Sequence, residues 1–281
     1  MAGEISQKPV PTIVVESSRG LATFNLREIW EYRDLLLFLS WRDISIRYKQ
    51  TVLGAAWAVI QPVLTMVIFT IFFGNLAGVP SEGAPYPLFS FAALLPWQYF
   101  STTLGNAANS LVNNSNLLSK VYFPRLLIPL TSLLPPAVDF VIAFIVLVVM
   151  MIFYRVTPTW NVLWLPAFIA LAVVTALGVG LWFAALNVKY RDVRYIVPIL
   201  VQFGLFVSPV AYPSSMVPIF WRPLYALNPM AGVIEGFRWA LLGTNTAPGR
   251  LIAVSSIAAI IILVTGLFYF RRTEQTFADV I

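Results

Sequence analysis

The sequence predicts an all-α membrane protein with six transmembrane helices. An N-terminal amphipathic interface helix precedes them, and two re-entrant helices lie between spans five and six. Three observations predict this. Of 281 residues, 59% are hydrophobic and only 11% charged, where water-soluble domains carry about a quarter charged residues. Six apolar runs, at 52–77, 87–107, 126–154, 161–187, 196–212 and 250–270, suit a helix that needs roughly 20 residues to cross about 30 Å of hydrocarbon. Lys and Arg gather on alternate links between these runs.

That last pattern sets an orientation. Of the 18 basic residues, all but Arg155, Arg222, Arg238 and Arg250 fall on the N-terminal side of the predicted membrane. Positive charge is retained inside, so both termini are expected in the cytoplasm. The first 25 residues are polar, contain proline and lack an apolar signal core, and read as a cytoplasmic tail. Residues 26–49 form the interface helix and its linker, and 50–281 the transmembrane domain.

Within LREIWEYRDLLLFLSWRDISIRYK (26–49), Arg27, Glu31 and Asp34 share one helical face, with Ile29, Trp30, Leu36 and Leu37 on another. Such a helix suits the plane of the inner membrane interface. Between spans two and three, NSLVNNSNLLSKVYFPR (109–125) is polar at Asn113 and Asn114, then periodic at Leu117, Leu118, Val121 and Tyr122. It fits a short helix protruding into the cytoplasm, ended by Pro124. A plain solvated loop fits equally.

Asp139 is the one carboxylate well inside a predicted span. A charge there costs about 2.5–3.5 kcal/mol on insertion scales and points to function. Its own span offers no basic partner, and Pro135-Pro136 lies just before it, so capping of a kinked helix is the structural alternative. Aromatics at helical spacing, Phe69 with Phe72 and Phe203 with Phe206, are candidates for lining a path along which flat sugar faces pass. Lipid-facing or core packing is the other reading of each.

The link after span five carries Pro209, Pro213, Pro218, Pro223 and Pro229, which forbid one continuous helix. Asn228-Pro229 is a helix start, and the helix it opens is expected to run through Leu242 and stop at Gly243. Ser214 or Ser215 starts a shorter helix before it. Both are too short to span, so the segment is expected to dip in from outside and turn back. Glu235 and Arg238, three residues apart, then face a wet lumen or each other.

Much chemistry is excluded. Cys and His are absent, which removes thiol catalysis, imidazole bases and the commonest metal ligands. No GxxxxGK[ST] phosphate loop is present. The net charge of +6 sits beside apolar runs as a topology signal, not as a nucleic-acid surface.

Four ordered blocks carry a resemblance. WRDISIRYKQTVLGAAWAVIQPVL (41–64), SKVYFPRLLIPL (119–130), LNVKYRDVRYIVPILVQFGLFVSPVAYP (186–213) and ALNPMAGVIEGFRWALLG (226–243) resemble ABC-2 type permeases that export polysaccharides. The resemblance covers residues 26 to 281. It implies a homodimer of six-span subunits in the bacterial inner membrane, with two separate ABC ATPase subunits that bind ATP and Mg. This chain then holds no cofactor. Its substrate is a lipid-linked glycan of the O-antigen, capsule or teichoic acid kind, moved outward. Residues 26–40 match the interface helix, 109–122 the coupling helix (Asn113, Asn114, Leu117, Leu118, Val121, Tyr122), and 214–242 the re-entrant pair at the outer mouth (Tyr225, Asn228, Pro229, Glu235, Arg238). Alternatives are an ABC-2 permease for drugs or small lipids, and a proton-coupled secondary transporter using Asp139. A membrane enzyme acting on polyprenyl-linked sugars would need clustered carboxylates, and here they are scattered.

The missing phosphate loop gives a first prediction. The purified chain releases no phosphate from ATP, and a complex with a partner ATPase does. Turnover by the chain alone, at a level surviving repurification, contradicts it.

Overall fold

The computed structural model describes residues 26–49, 54–243 and 249–274. The proposed tail 1–25 lies outside them. The described residues are helical, without strands. In order they form α1 (Leu26–Glu31), α2 (Arg33–Lys49), α3 (Trp57–Phe69), α4 (Tyr86–Asn113), α5 (Ser115–Lys120) and α6 (Leu127–Thr131). Then come α7 (Leu134–Phe153), α8 (Leu165–Lys189), α9 (Val193–Val207), α10 (Arg222–Ala226), α11 (Pro229–Leu242) and α12 (Gly249–Glu274).

Among the described residues, four stretches are long and apolar enough to cross a membrane: Gly54–Leu76, Leu127–Phe153, Trp160–Lys189 and Gly249–Glu274. The first passes from α3 into a π-helical turn, Thr70–Leu76. The third is α8 with the 3₁₀ turn Trp160–Trp164 before it. Their outward sides are apolar: Leu64, Ile68 and Phe72 on the first, Ile145, Val149 and Ile152 on the second, Ile257, Ile261 and Val264 on the fourth are all exposed. In water such faces would drive association. In lipid they are ordinary, and the chain is a multi-pass membrane protein.

Helix α4 is different. At 28 residues it is the longest, yet it carries Ser90, Thr103 and Ser110 fully buried among Leu88, Phe91, Leu95 and Ala107. It packs against α3, α7, α8, α9 and α11, so other helices surround it and it needs no lipid-facing stripe. Helix α9 has 15 residues, ending at Val207 rather than at the expected 212. Ser208 turns to extended backbone, and Pro209 and Pro213 prevent renewal of the helix.

Small residues let the helices touch. A Cβ on Gly178 of α8 would lie 2.8 Å from the Leu263 main chain of α12, and one on Gly266 would lie 2.5 Å from the Gly178 carbonyl oxygen. Close approach through small residues is how helices associate where lipid removes the hydrophobic drive. The rings of Trp182 and Tyr269 stack beside this contact at 4.4 Å.

Gly178→Val should therefore lower stability by about 1–3 kcal/mol, the cost of overpacking a rigid contact. Gly105, where a Cβ meets nothing within 4 Å, is the control, and Gly105→Ala should melt no lower than wild type. Thermal unfolding of detergent-solubilised protein distinguishes them. Equal melting of the two variants would remove the α8–α12 contact as a stability determinant.

Candidate functional site

Three clusters of polar groups stand out in a molecule that is otherwise apolar. The first lies where α4 meets α5. The expected helix 109–122 is in fact two elements: residues to Asn113 continue α4, and α5 covers Ser115–Lys120. The joint is Asn114, whose Oδ1 accepts from Arg42 Nη2 of α2 at 3.0 Å and whose Nδ2 donates to the Ser110 carbonyl at 2.9 Å. Leu117 and Leu118 are half-buried and pack inward on a cluster containing Leu111, Phe123 and Leu127. They do not present an apolar face outward, as their periodicity suggested. Val121 and Tyr122 do, at 50% and 67% exposed, and the polar Asn113 is exposed as well. Nearby, Arg125 Nη1 donates to the Glu274 carbonyl at 2.5 Å, tying this end to the last turn of α12. Asn187 Nδ2 of α8 donates to the Ala108 carbonyl at 2.8 Å.

The second cluster corrects the reading of Asp139 as a carboxylate without a basic partner. Arg47 Nη2 lies 2.5 Å from Asp139 Oδ2, and the Tyr48 hydroxyl donates to Oδ1 at 2.5 Å. Both partners sit on the last turn of α2, far off in sequence. Burial, and then the hydrogen bond to Asp139, raise the Tyr48 phenol well above its ordinary pKa, so it serves as a donor. The rest of α2 lies on the bundle, with Leu39 and Ser40 buried and Leu36 turned inward. Trp30, Leu37, Phe38 and Trp41 point away, each more than half exposed. Glu31 and Asp34 are exposed beside them, while the Arg27 side chain lies outside the described residues.

The third cluster surrounds α11, whose limits agree with the sequence reading. Asn228 Oδ1 accepts from the Met230 N–H at 3.0 Å, and Gly243 ends the helix in the left-handed region at φ 64°. Of the two surroundings expected for Glu235 and Arg238, a wet lumen or each other, the second is found. Arg238 is fully buried and Glu235 5% exposed, so neither faces a wet lumen. Their closest atoms are 3.5 Å apart. The guanidinium donates mainly to backbone: to the Val210 carbonyl at 2.7 Å, and to the Phe89 and Tyr212 carbonyls at 3.2 Å each. Its Cζ sits 3.4 Å from the centroid of the Phe89 ring. Glu235 Oε1 accepts from the Ser214 N–H at 2.9 Å.

These bonds serve the segment between α9 and the 3₁₀ turn Ser214–Met216. Tyr86 donates to the Ala211 carbonyl at 2.6 Å, and Asn228 Nδ2 donates to Ser208 Oγ at 2.9 Å. Buried non-helical backbone must find such partners inside the protein. Sequence reasoning missed Tyr86, Phe89 and Ser255, whose hydroxyl donates to the Ala226 carbonyl at 2.9 Å. Most acceptors here are carbonyls, which carry no sequence signal. By contrast residues 216–227 lie mostly open, with Ala226 the buried exception: Ile219 is 79% and Phe220 83% exposed. Tyr225 is half-buried, its hydroxyl 3.4 Å from that of Tyr212.

The four aromatic candidates are not one surface. Phe69 is buried, edge-on to Phe73 at 5.3 Å. Phe72, Phe203 and Phe206 are exposed. Gly204 seats the back of α9 on Trp97, 2.8 Å from where its Cβ would be. Among the described residues no group of His, Cys, Asp or Glu has metal-site spacing.

Comparison with known proteins adds the following. The sequence profile of the ABC-2 type transporter family matches residues 34–242. An O-antigen export system permease protein, RfbA of Myxococcus xanthus, is 30% identical over 255 residues, covering 89% of this chain and 96% of its own. The polysialic acid transport protein KpsM of Escherichia coli is 22% identical over 247 residues, covering 85% and 92%. The inner membrane transport permease YadH of Escherichia coli is 26% identical over 222 residues, covering 74% and 83%.

Removing Arg238 should be severe. Arg238→Met removes the guanidinium donor from three carbonyls and the cation from a buried carboxylate, a loss of about 3–5 kcal/mol for breaking a buried pair from one side. Glu235→Gln keeps an acceptor for Ser214 and should cost less. The yield and melting temperature of monodisperse protein report both. Arg238→Met melting as high as wild type contradicts the assignment.

Proposed function

The chain belongs to the ABC-2 type transporter family, and we propose that it is the permease subunit of an ATP-driven exporter of a lipid-linked polysaccharide. The observation that carries this is the near full-length match to permeases named for two different glycan polymers, O-antigen and polysialic acid. A drug or small-lipid permease is the second reading, supported by the YadH relative, whose name specifies no cargo. A proton relay through Asp139 loses its support, because Arg47 and Tyr48 already engage both carboxylate oxygens.

In this proposal α4 and α9 complete six spans, and both termini face the cytoplasm of a bacterial inner membrane. Helix α4 fills the middle of the protomer, so a conduit wide enough for a glycan lies between two copies. The exposed Phe72, Phe203 and Phe206 are its aromatic wall, and Phe69 belongs to the core. Two ABC ATPase subunits bind ATP and Mg and dock at the α4–α5 end. Val121 and Tyr122, with the polar Asn113, are the contact surface there. At the opposite end α11 is fixed, and the part of the mouth free to move is the open stretch 216–227.

Deleting the gene should abolish the cell-surface glycan while its lipid-linked precursor accumulates. Surface glycan unchanged in the deletion strain overturns the reading. The docking assignment has its own test. Val121→Asp with Tyr122→Ala should reduce ATPase stimulation by the permease while leaving its melting temperature unchanged. Leu117→Asp with Leu118→Asp should instead lower the melting temperature, because the charges enter the chain's own core. Normal stimulation in the first pair removes Val121 and Tyr122 from the interface.

A further inference from the structure

The cluster around Asp139 borders a cavity. It has a volume of 180 Å³ and lies between α2, α3, α4 and α7, lined among others by Trp57, Gln61, Gln98, Thr102 and Asp139. At about 30 Å³ per water, that is room for about six waters. The side-chain amides of Gln61 and Gln98 and the Thr102 hydroxyl form no hydrogen bond with protein among the described residues. Gln61 and Gln98 are engaged only through their main-chain carbonyls, which accept from Thr65 and Ser101. Gln61 and Trp57 are exposed at the open side of the cavity and Gln98 and Thr102 are half-buried, so all three polar side chains are available to an occupant.

The chemistry of the wall selects the occupant. Arg47 and Asp139 form a closed pair at 2.5 Å, so an anion would have to break it. A cation would find one carboxylate, already shared by two donors. What is left is two neutral amides, each offering donors and an acceptor, a hydroxyl and the flat face of Trp57. We propose that this cavity binds one neutral, hydroxyl-bearing sugar ring, its hydroxyls on Gln61, Gln98 and Thr102 and its C–H face on Trp57. The choice of a sugar rests on the export reading, while the neutrality and size of the ligand rest on the cavity. The ring could belong to the glycan itself or to the headgroup of a neutral glycolipid.

The chain has no Cys, so Ala58→Cys provides a single reporter in the cavity. The full-length protein, in lipid nanodiscs free of sugar detergents, is labelled with a small charged thiol reagent. The competitors are methyl α-glucoside, methyl α-galactoside, methyl α-mannoside and methyl N-acetyl-α-glucosaminide. By mass action, labelling should slow about tenfold once a binding glycoside reaches roughly ten times its dissociation constant. Inorganic phosphate at equal ionic strength should not slow it. Adding Gln61→Ala and Gln98→Ala should abolish protection at unchanged melting temperature.

The proposal is overturned if no glycoside protects, if phosphate protects equally, or if the double alanine variant is protected as before. An alkyl glucoside protecting at tenfold lower concentration than the methyl glucoside assigns the site to a lipid headgroup. Equal potency assigns it to the glycan. Protection by glycosides together with normal surface glycan in the deletion strain would overturn the export reading and leave this site standing.

Discussion

The guanidinium of Arg238 is the interaction on which the α11 half of the molecule depends. It is fully buried, and its three carbonyl acceptors come from two separate parts of the chain, α4 and the segment after α9. An unpaired cation there would be prohibitive, and unpaired carbonyls nearly so. Together they satisfy each other, and the Phe89 ring closes the remaining face. A planar fork with several fixed donors suits this task in a way that a lysine ammonium does not. Through it, a proline-broken stretch is buried with its carbonyls satisfied.

The same economy of polar groups organises the other end. Arg42 to Asn114, Asn187 to the Ala108 carbonyl, and Arg125 to the Glu274 carbonyl join α2, α8 and α12 to the region around α5. Between the two ends the packing is apolar and close, through Gly178, Gly266 and the small residues of α4. Directional bonds at the ends and close van der Waals packing between them leave few parts of the protomer free. The exposed stretch at 216–227 and the outward face of α9 are the exceptions.

The sequence made elements with local causes legible. Apolar length gave the four evident spans, and Asn228, Pro229 and Gly243 placed α11 to the residue. The end of α9 was harder, because Val207 through Tyr212 stay apolar and hydropathy does not register a break in backbone geometry. Longer-range facts were out of reach. Periodicity found the leucines at 117 and 118 but not whether their face meets a partner or the chain itself. Asp139 lacked a basic neighbour in its own span, and its partners proved to lie some 90 residues earlier, on α2. Glu235 and Arg238 were rightly seen as near neighbours, but their burial follows from tertiary packing.

Helix α4 touches both polar ends. Its last turn carries the Asn114 joint, and Phe89, in its first turn, provides one of the Arg238 acceptors. Pro96 removes one rung of its ladder, and Leu88 through Leu95 just before it are buried in the core. Its 28 residues make a rod about 42 Å long at 1.5 Å per residue. Such a rod is a lever arm. A tilt of about 5° at the α5 end carries the far end about 4 Å sideways by its length alone. That is more than the length of the hydrogen bonds around Arg238, so a small push at one end of the rod is geometrically sufficient to rearrange the other.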